Sequence, residues 1–221
     1  MPPDVLREQA GTILLIGASR GLGHAIAAEF LTRGWKLVGT VRPRETRTKL
    51  HDLADEFQGR VEIEVLDICA PDQIAALRQR LSSRVFDMLF VNTGVTNKET
   101  ETIADVATEE FFPVIATNAL SPMRVIESMT DLVAATGLLA VMSSGQGSVI
   151  NNETGMRETR CGGGLRWMRS LMSRCPRTNR LVGSPLEATA GYACVDLVAG
   201  GRCGAECYGA GGHWRYRQPE L

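Results

Sequence analysis

Apolar residues follow two alternating periods over the first two-thirds of the chain. "TILLIG" (12–17) is a short apolar run between Gly11 and the glycine-rich "GASRGLG", which predicts a buried strand. In "GLGHAIAAEFLTRG", Leu22, Ile26 and Phe30 recur at i, i+4 and i+8, one apolar face of a helix that Gly34 would stop. "KLVGTV" (36–41) predicts a second strand. "RETRTKLHDLADEF" then predicts an exposed helix that turns Leu50, Leu53 and Phe57 inward. "VEIEVLD" (61–67) alternates Val61, Ile63 and Val65 as a third strand. Pro71 opens the helix "PDQIAALRQRL" at a position where a missing N–H costs nothing. "FDMLFVN" (86–92) and "GLLAVMSS" (137–144) predict strands four and five, with a longer helix inside "ATNALSPMRVIESMTDLV".

Strands alternating with helices at this spacing predict an α/β fold, a doubly wound parallel sheet with helices on both faces. The pattern ends near Gly155. Residues 156–221 contain ten Arg, no Lys, no Ile, no Phe, five of the six Cys and 11 of the 23 Gly. Such a segment buries little apolar surface against its ordering entropy, so the C-terminal part is expected to be incomplete or irregular and poorly ordered. At most one short apolar piece, inside "LVGSPLEATAGYACVDLVAGG", interrupts it. The chain thus divides into residues 1–155, a nucleotide-binding domain on the argument below, and a Gly/Arg/Cys-rich tail, 156–221.

Charge divides at the same place. Residues 1–155 hold 14 Lys+Arg against 20 Asp+Glu, and the tail holds 10 against 5, for a net −1. That balance argues against a nucleic-acid or membrane-surface partner. No apolar run reaches the length of a membrane span, and "MPPDVLREQAG" lacks the apolar core of a signal peptide. The expected location is the cytoplasm, where a disulfide framework is not expected. Cys203, Cys207 and His213 have looser spacing than structural zinc sites use, and no metal site is assigned.

The chemistry concentrates at the strand ends. "GASRGLG" joins the first strand to the first helix, with glycines at 17, 21 and 23. A turn of this kind brings a helix start and its free N–H groups close to a pyrophosphate. Asp67 follows the third strand, "VNTG" (91–94) the fourth, and "MSSGQGS" ends the fifth. In combination over residues 11–155, these motifs resemble the short-chain dehydrogenases/reductases, whose glycine motif has the spacing G-x-x-x-G-x-G. The resemblance implies a Rossmann-like domain that exchanges hydride between a dinucleotide and a small carbonyl or alcohol. It implies a cofactor-binding set of Gly17, Ser19, Arg20, Gly21, Leu22, Gly23, Arg42, Asp67, Asn92 and Gly94. Asp67 would contact adenine. Val91 and Thr93 are mild departures from the family's Asn-Asn-Ala-Gly run. Asn118 in "TNALSP" matches a proton-relay asparagine, and Ser144, or Ser143 beside it, the active-site serine. Oligomers of the family form through the helix containing Asn118 and the next one.

Cofactor choice follows from charge. A carboxylate about 20 residues beyond the glycines would bond the ribose hydroxyls of NAD; an arginine there suits the 2′-phosphate of NADP. Here the second strand ends in Val41-Arg42 with no acid before Glu45, and Arg20 lies inside the glycine turn. Two guanidiniums can hold one phosphate, which predicts NADP(H).

One part of the family's machinery is missing. The resemblance implies a Tyr that protonates the alkoxide, and a Lys four residues on that lowers its pKa. No tyrosine lies between Ser144 and Gly191, and the last lysine of the chain is Lys98. Tyr192, Tyr208 and Tyr216 therefore have no lysine partner. The tail has the composition of a GC-rich gene read out of frame, which points to a frameshift near codons 155–157. A divergent tail on a relative that lost catalysis is the alternative. The chain itself is expected to be catalytically impaired, either a damaged reductase or a non-catalytic dinucleotide- or partner-binding protein.

Overall fold

The computed structural model describes residues 10–43, 46–95 and 106–144, together with the backbone of three strands between 193 and 217. β1 (Thr12–Ile16), β2 (Lys36–Val41), β3 (Val61–Val65), β4 (Phe86–Val91) and β5 (Val133–Ser144) form a parallel sheet in the order β3-β2-β1-β4-β5. The order reverses between β1 and β4. Such a switch opens a crevice beyond the carboxyl ends of the strands, where doubly wound folds bind ligands.

Each face of the sheet has its own core. α1 (Gly21–Thr32) and α2 (Lys49–Glu56) bury Ile26, Phe30, Leu50 and Leu53 against Ile13, Leu15, Leu37 and Phe90. On the other face, α3 (Pro71–Arg80) and α5 (Ser121–Met129) bury Ile74, Leu77, Val125 and Met129 against Leu14, Ile16, Leu89 and Val141. Alternation along β1 and β4 divides these residues, since successive side chains point to opposite faces. Phe57 and Leu22 are only partly buried beside the first core.

Three boundaries differ from the sequence expectation. α2 starts at Lys49, where Thr48 and His51 form a capping box, and not at the arginines before it. The long helix begins earlier than its apolar pattern suggested, as α4 (Thr108–Ile115), and passes through a π-helical turn, Ala116–Leu120, into α5. β5 also begins early. Its register against β4 shifts between Phe86 and Met88, a bulge that accommodates Gly137, where a Cβ would lie 2.9 Å from the Asp87 carbonyl oxygen.

The tail contributes more regular backbone than one apolar piece predicts. β6 (Ala193–Ala199), β7 (Arg202–Tyr208) and β8 (Trp214–Arg217) continue the sheet from β5, all antiparallel. β6 is the apolar piece itself. β7 and β8 pair through backbone hydrogen bonds, which apolar periodicity does not register. The parallel part of the sheet therefore stops at β5.

Candidate functional site

The crevice is built on the turn after β1. Gly17 takes φ +88°, a left-handed conformation that glycine adopts without strain. A Cβ there would lie 2.2 Å from the Asn92 carbonyl oxygen. Thr40, buried near the end of β2, fixes the turn from the side: its Oγ1 accepts the Gly17 N–H at 2.9 Å and its carbonyl accepts the Ala18 N–H at 2.9 Å. Sequence reasoning missed Thr40, although a lone hydroxyl inside "KLVGTV" was a visible signal.

The other two glycines play different roles. A Cβ on Gly23 would stand 2.0 Å from the Gly17 carbonyl oxygen and 2.5 Å from Asn92 Nδ2. Gly23 therefore lets the helix close onto the turn. Gly21 has φ +56° and nothing within 4 Å of where its Cβ would be, so it faces open space. No side-chain cap closes α1 at Arg20, which leaves leading N–H groups of the helix for a ligand or water. This glycine cradle and uncapped helix start fit the pyrophosphate of a dinucleotide.

Asn92 ties the two halves of the crevice. Its N–H donates to Ile16 O at 2.9 Å and its Nδ2 to Gly17 O at 3.1 Å. Next to it, Thr93 Oγ1 is buried without a hydrogen-bond partner. Gly94 is exposed, and a Cβ on it would meet Asn118 Oδ1 at 3.7 Å. Asp67 lies just past the end of β3, where its Oδ1 accepts the Cys69 N–H at 2.9 Å and its own N–H donates to Gln73 Oε1 at 2.8 Å. Its carboxylate shapes the β3–α3 turn.

Asn118 lies in the π turn. The Ser121 N–H donates to Ala116 O, one residue further back than in an α-helix. Pro122, with no N–H, could not have bonded the Asn118 carbonyl in an α-helical ladder, so the looser turn costs less here. The Asn118 side chain bonds Val95 twice, Oδ1 accepting its N–H and Nδ2 donating to its carbonyl, both at 2.8 Å. It thus anchors the chain that leaves β4. Ser143 and Ser144 end β5, and Ser144 is in register with Ala193 of β6, which is in register with Tyr208 of β7.

Basic residues gather at the end of β2. Ser19, Arg20, Arg42, Thr46, Arg47, Thr48 and Lys49 line a cavity of about 260 Å³. Arg20 and Arg42, the two cations singled out in the sequence, both line this cavity. Arg47, Thr48 and Lys49 were not foreseen as site residues, because they read as the exposed start of a helix. Arg47 donates to Asp52 Oδ1 at 3.0 Å and also pairs with Asp55. The bonds to Asp55 and Asp52 raise its pKa above the ordinary arginine value. No helix among the described residues is long and apolar enough to cross a membrane.

Comparison with known proteins agrees with this geometry. The family model described as enoyl-(acyl carrier protein) reductase matches residues 17–168, which runs past the composition change at 155. The NADPH-dependent pterin aldehyde reductase of Arabidopsis thaliana is 28% identical over 142 residues, 62% of this chain and 58% of its own. The match to the short-chain dehydrogenase RED1 of Pyricularia oryzae covers 39% of that protein. The chain thus spans well under two-thirds of these curated relatives. A Burkholderia multivorans structure assigned to the short-chain dehydrogenases/reductases, with bound NADP, is 55% identical, with a TM-score of 0.70 over 74% of this chain and 71% of that one. A carbonyl reductase from Pseudomonas aeruginosa, 27% identical, has a TM-score of 0.67 over 73% of each chain.

Proposed function

Because the chain belongs to the short-chain dehydrogenase/reductase family, a family of oxidoreductases, we propose that it binds NADP(H) in preference to NAD(H) and lacks the acid that turnover needs. The observation that carries the cofactor choice is the cavity where Arg20 and Arg42 meet. A phosphate on the adenosine ribose brings about two negative charges, which two guanidiniums can hold by charge-assisted hydrogen bonds. The NADP bound to the related Burkholderia multivorans protein supports the same choice.

When bound, NADPH supplies hydride to a small carbonyl compound, and NADP accepts it from the alcohol. The chain's own residues divide the remaining work. Gly17, Gly21 and Gly23 give the pyrophosphate its approach, with Ser19 and Leu22 in the same turn. Asn92, Gly94 and Asp67 hold the two sides of the crevice. Ser144 orients the substrate oxygen, and Asn118 fixes the segment after β4 through Val95. The sequence has no Tyr-x-x-x-Lys, since all three tyrosines follow Lys98, the last lysine. Proton delivery to a developing alkoxide is then missing, a loss of about 10²–10⁴-fold for a general acid alone.

The missing pair also favours a second reading, a non-catalytic protein that binds a dinucleotide or a partner. Titration of the full chain with NADPH and NADH, before and after Arg20→Ala/Arg42→Ala, tests the cofactor choice. Preference for NADPH that the double variant abolishes is expected. Equal affinities that the variant leaves unchanged overturn it.

A further inference from the structure

α2 opens with a capping box in which histidine stands where glutamate or glutamine is usual. The Thr48 N–H donates to His51 Nδ1 at 3.1 Å, and the His51 N–H returns to the Thr48 carbonyl at 2.9 Å. A backbone N–H can only donate, so Nδ1 carries no proton and the ring holds its single proton on Nε2. Thr48 Oγ1 lies 3.0 Å from the same nitrogen, and its hydroxyl is the donor there. Glutamine at this position keeps its acceptor at every pH. Histidine loses it on protonation.

Protonation would set an N–H against the Thr48 N–H. It would also bring a positive charge to the positive end of the α2 dipole, where the exposed cations Arg47 and Lys49 already stand. Asp55, one turn along from His51, is the acid placed to hold a charged ring, but Asp55 and Asp52 both bond Arg47. The elements packed against α2 are α1, β2 and β3. Their acids are paired: Glu29 with Arg33, Glu62 with Arg84 and Glu64 with Arg80. Their other charged groups, His24 and Lys36, are bases, as are Arg20 and Arg42 across the cavity that Thr48 lines.

We infer that His51 is a proton-operated cap, closing the first turn of α2 when its ring is neutral and opening it when the ring is protonated. The cap contributes above the histidine range and is lost as pH falls through it. Thr46, Arg47, Thr48 and Lys49 share one cavity with Ser19, Arg20 and Arg42, so the opening alters that part of the crevice. The inference does not depend on the NADP(H) reading.

The test follows the full chain by NMR between about pH 7.5 and about pH 5.5, with His51→Gln and His51→Ala beside the parent. In the parent, the Thr48 amide should shift in step with the His51 ring. The Asp52 and Leu53 amides, the first bonded within α2, should exchange about fivefold faster at the lower pH once the intrinsic pH dependence is removed. His51→Gln keeps an acceptor that does not titrate, so these amides should hold their high-pH protection throughout. His51→Ala should show the faster exchange at both ends of the range. Protection in the parent that does not change with pH, or a change that His51→Gln retains, overturns the inference. Equal loss at Ile74 and Leu77 of α3 means that the whole domain loosens, and overturns it too.

Discussion

Single side chains in the crevice have separable roles. Gly17 combines a left-handed φ with contact against the Asn92 carbonyl, so Gly17→Ala meets strain and overlap together. It should destabilise the domain by about 3 kcal/mol or more, read from a urea midpoint. Thr93→Val is the opposite case. It removes a buried hydroxyl that has no partner, and should leave the midpoint unchanged or raise stability by about 1 kcal/mol. A marked loss would show that the hydroxyl is bonded. The glycines were legible because their spacing between a strand and a helix leaves few physical uses. Thr40 and the orphaned Thr93 hydroxyl were not, because a hydroxyl's partner is a property of the folded backbone and not of its neighbours in sequence.

Among the elements, the helix interrupted by the π turn departs most from regular geometry. Pro113 and Pro122 both lie in this stretch, and Asn118 spends its side chain on Val95. Asn118→Ala removes two hydrogen bonds of about 1 kcal/mol each. The Val95 amide should lose protection from hydrogen exchange, while amides in β1 keep theirs; equal loss across both would mean global unfolding. Apolar periodicity located α1, α3 and the strands to within a few residues. It misplaced the starts of α2 and β5, where a capping box and a bulge decide and neither has a periodic signature. Arg47 and Lys49, before and at the start of α2, stayed hidden for a related reason: exposed cations look like ordinary solvated charge until the fold brings Arg20 and Arg42 to the same cavity.

At the scale of the molecule, the parallel sheet and its two cores were legible because alternating strands and helices admit few topologies. The antiparallel continuation through β6, β7 and β8 was not, since Arg202–Tyr208 carries no apolar alternation. The exposed basic cavity predicts a salt effect. NADPH affinity should fall more steeply than NADH affinity as ionic strength rises, and parallel slopes would place the extra phosphate away from the arginines. The change of composition at 155 has its own test, in the nucleotide sequence across codons 140–221. A shifted frame that continues with a Tyr-x-x-x-Lys helix and further apolar strands makes the tail a frameshift product. Three frames without one make the tail genuine.

The most direct measurement follows NADPH fluorescence and NADPH oxidation together while the full chain is titrated in the presence of small aldehydes and ketones. Saturable binding with no oxidation above background is the predicted result: a complete cofactor crevice without its acid. Oxidation that scales with protein would contradict the missing acid, and no binding at all would contradict the crevice.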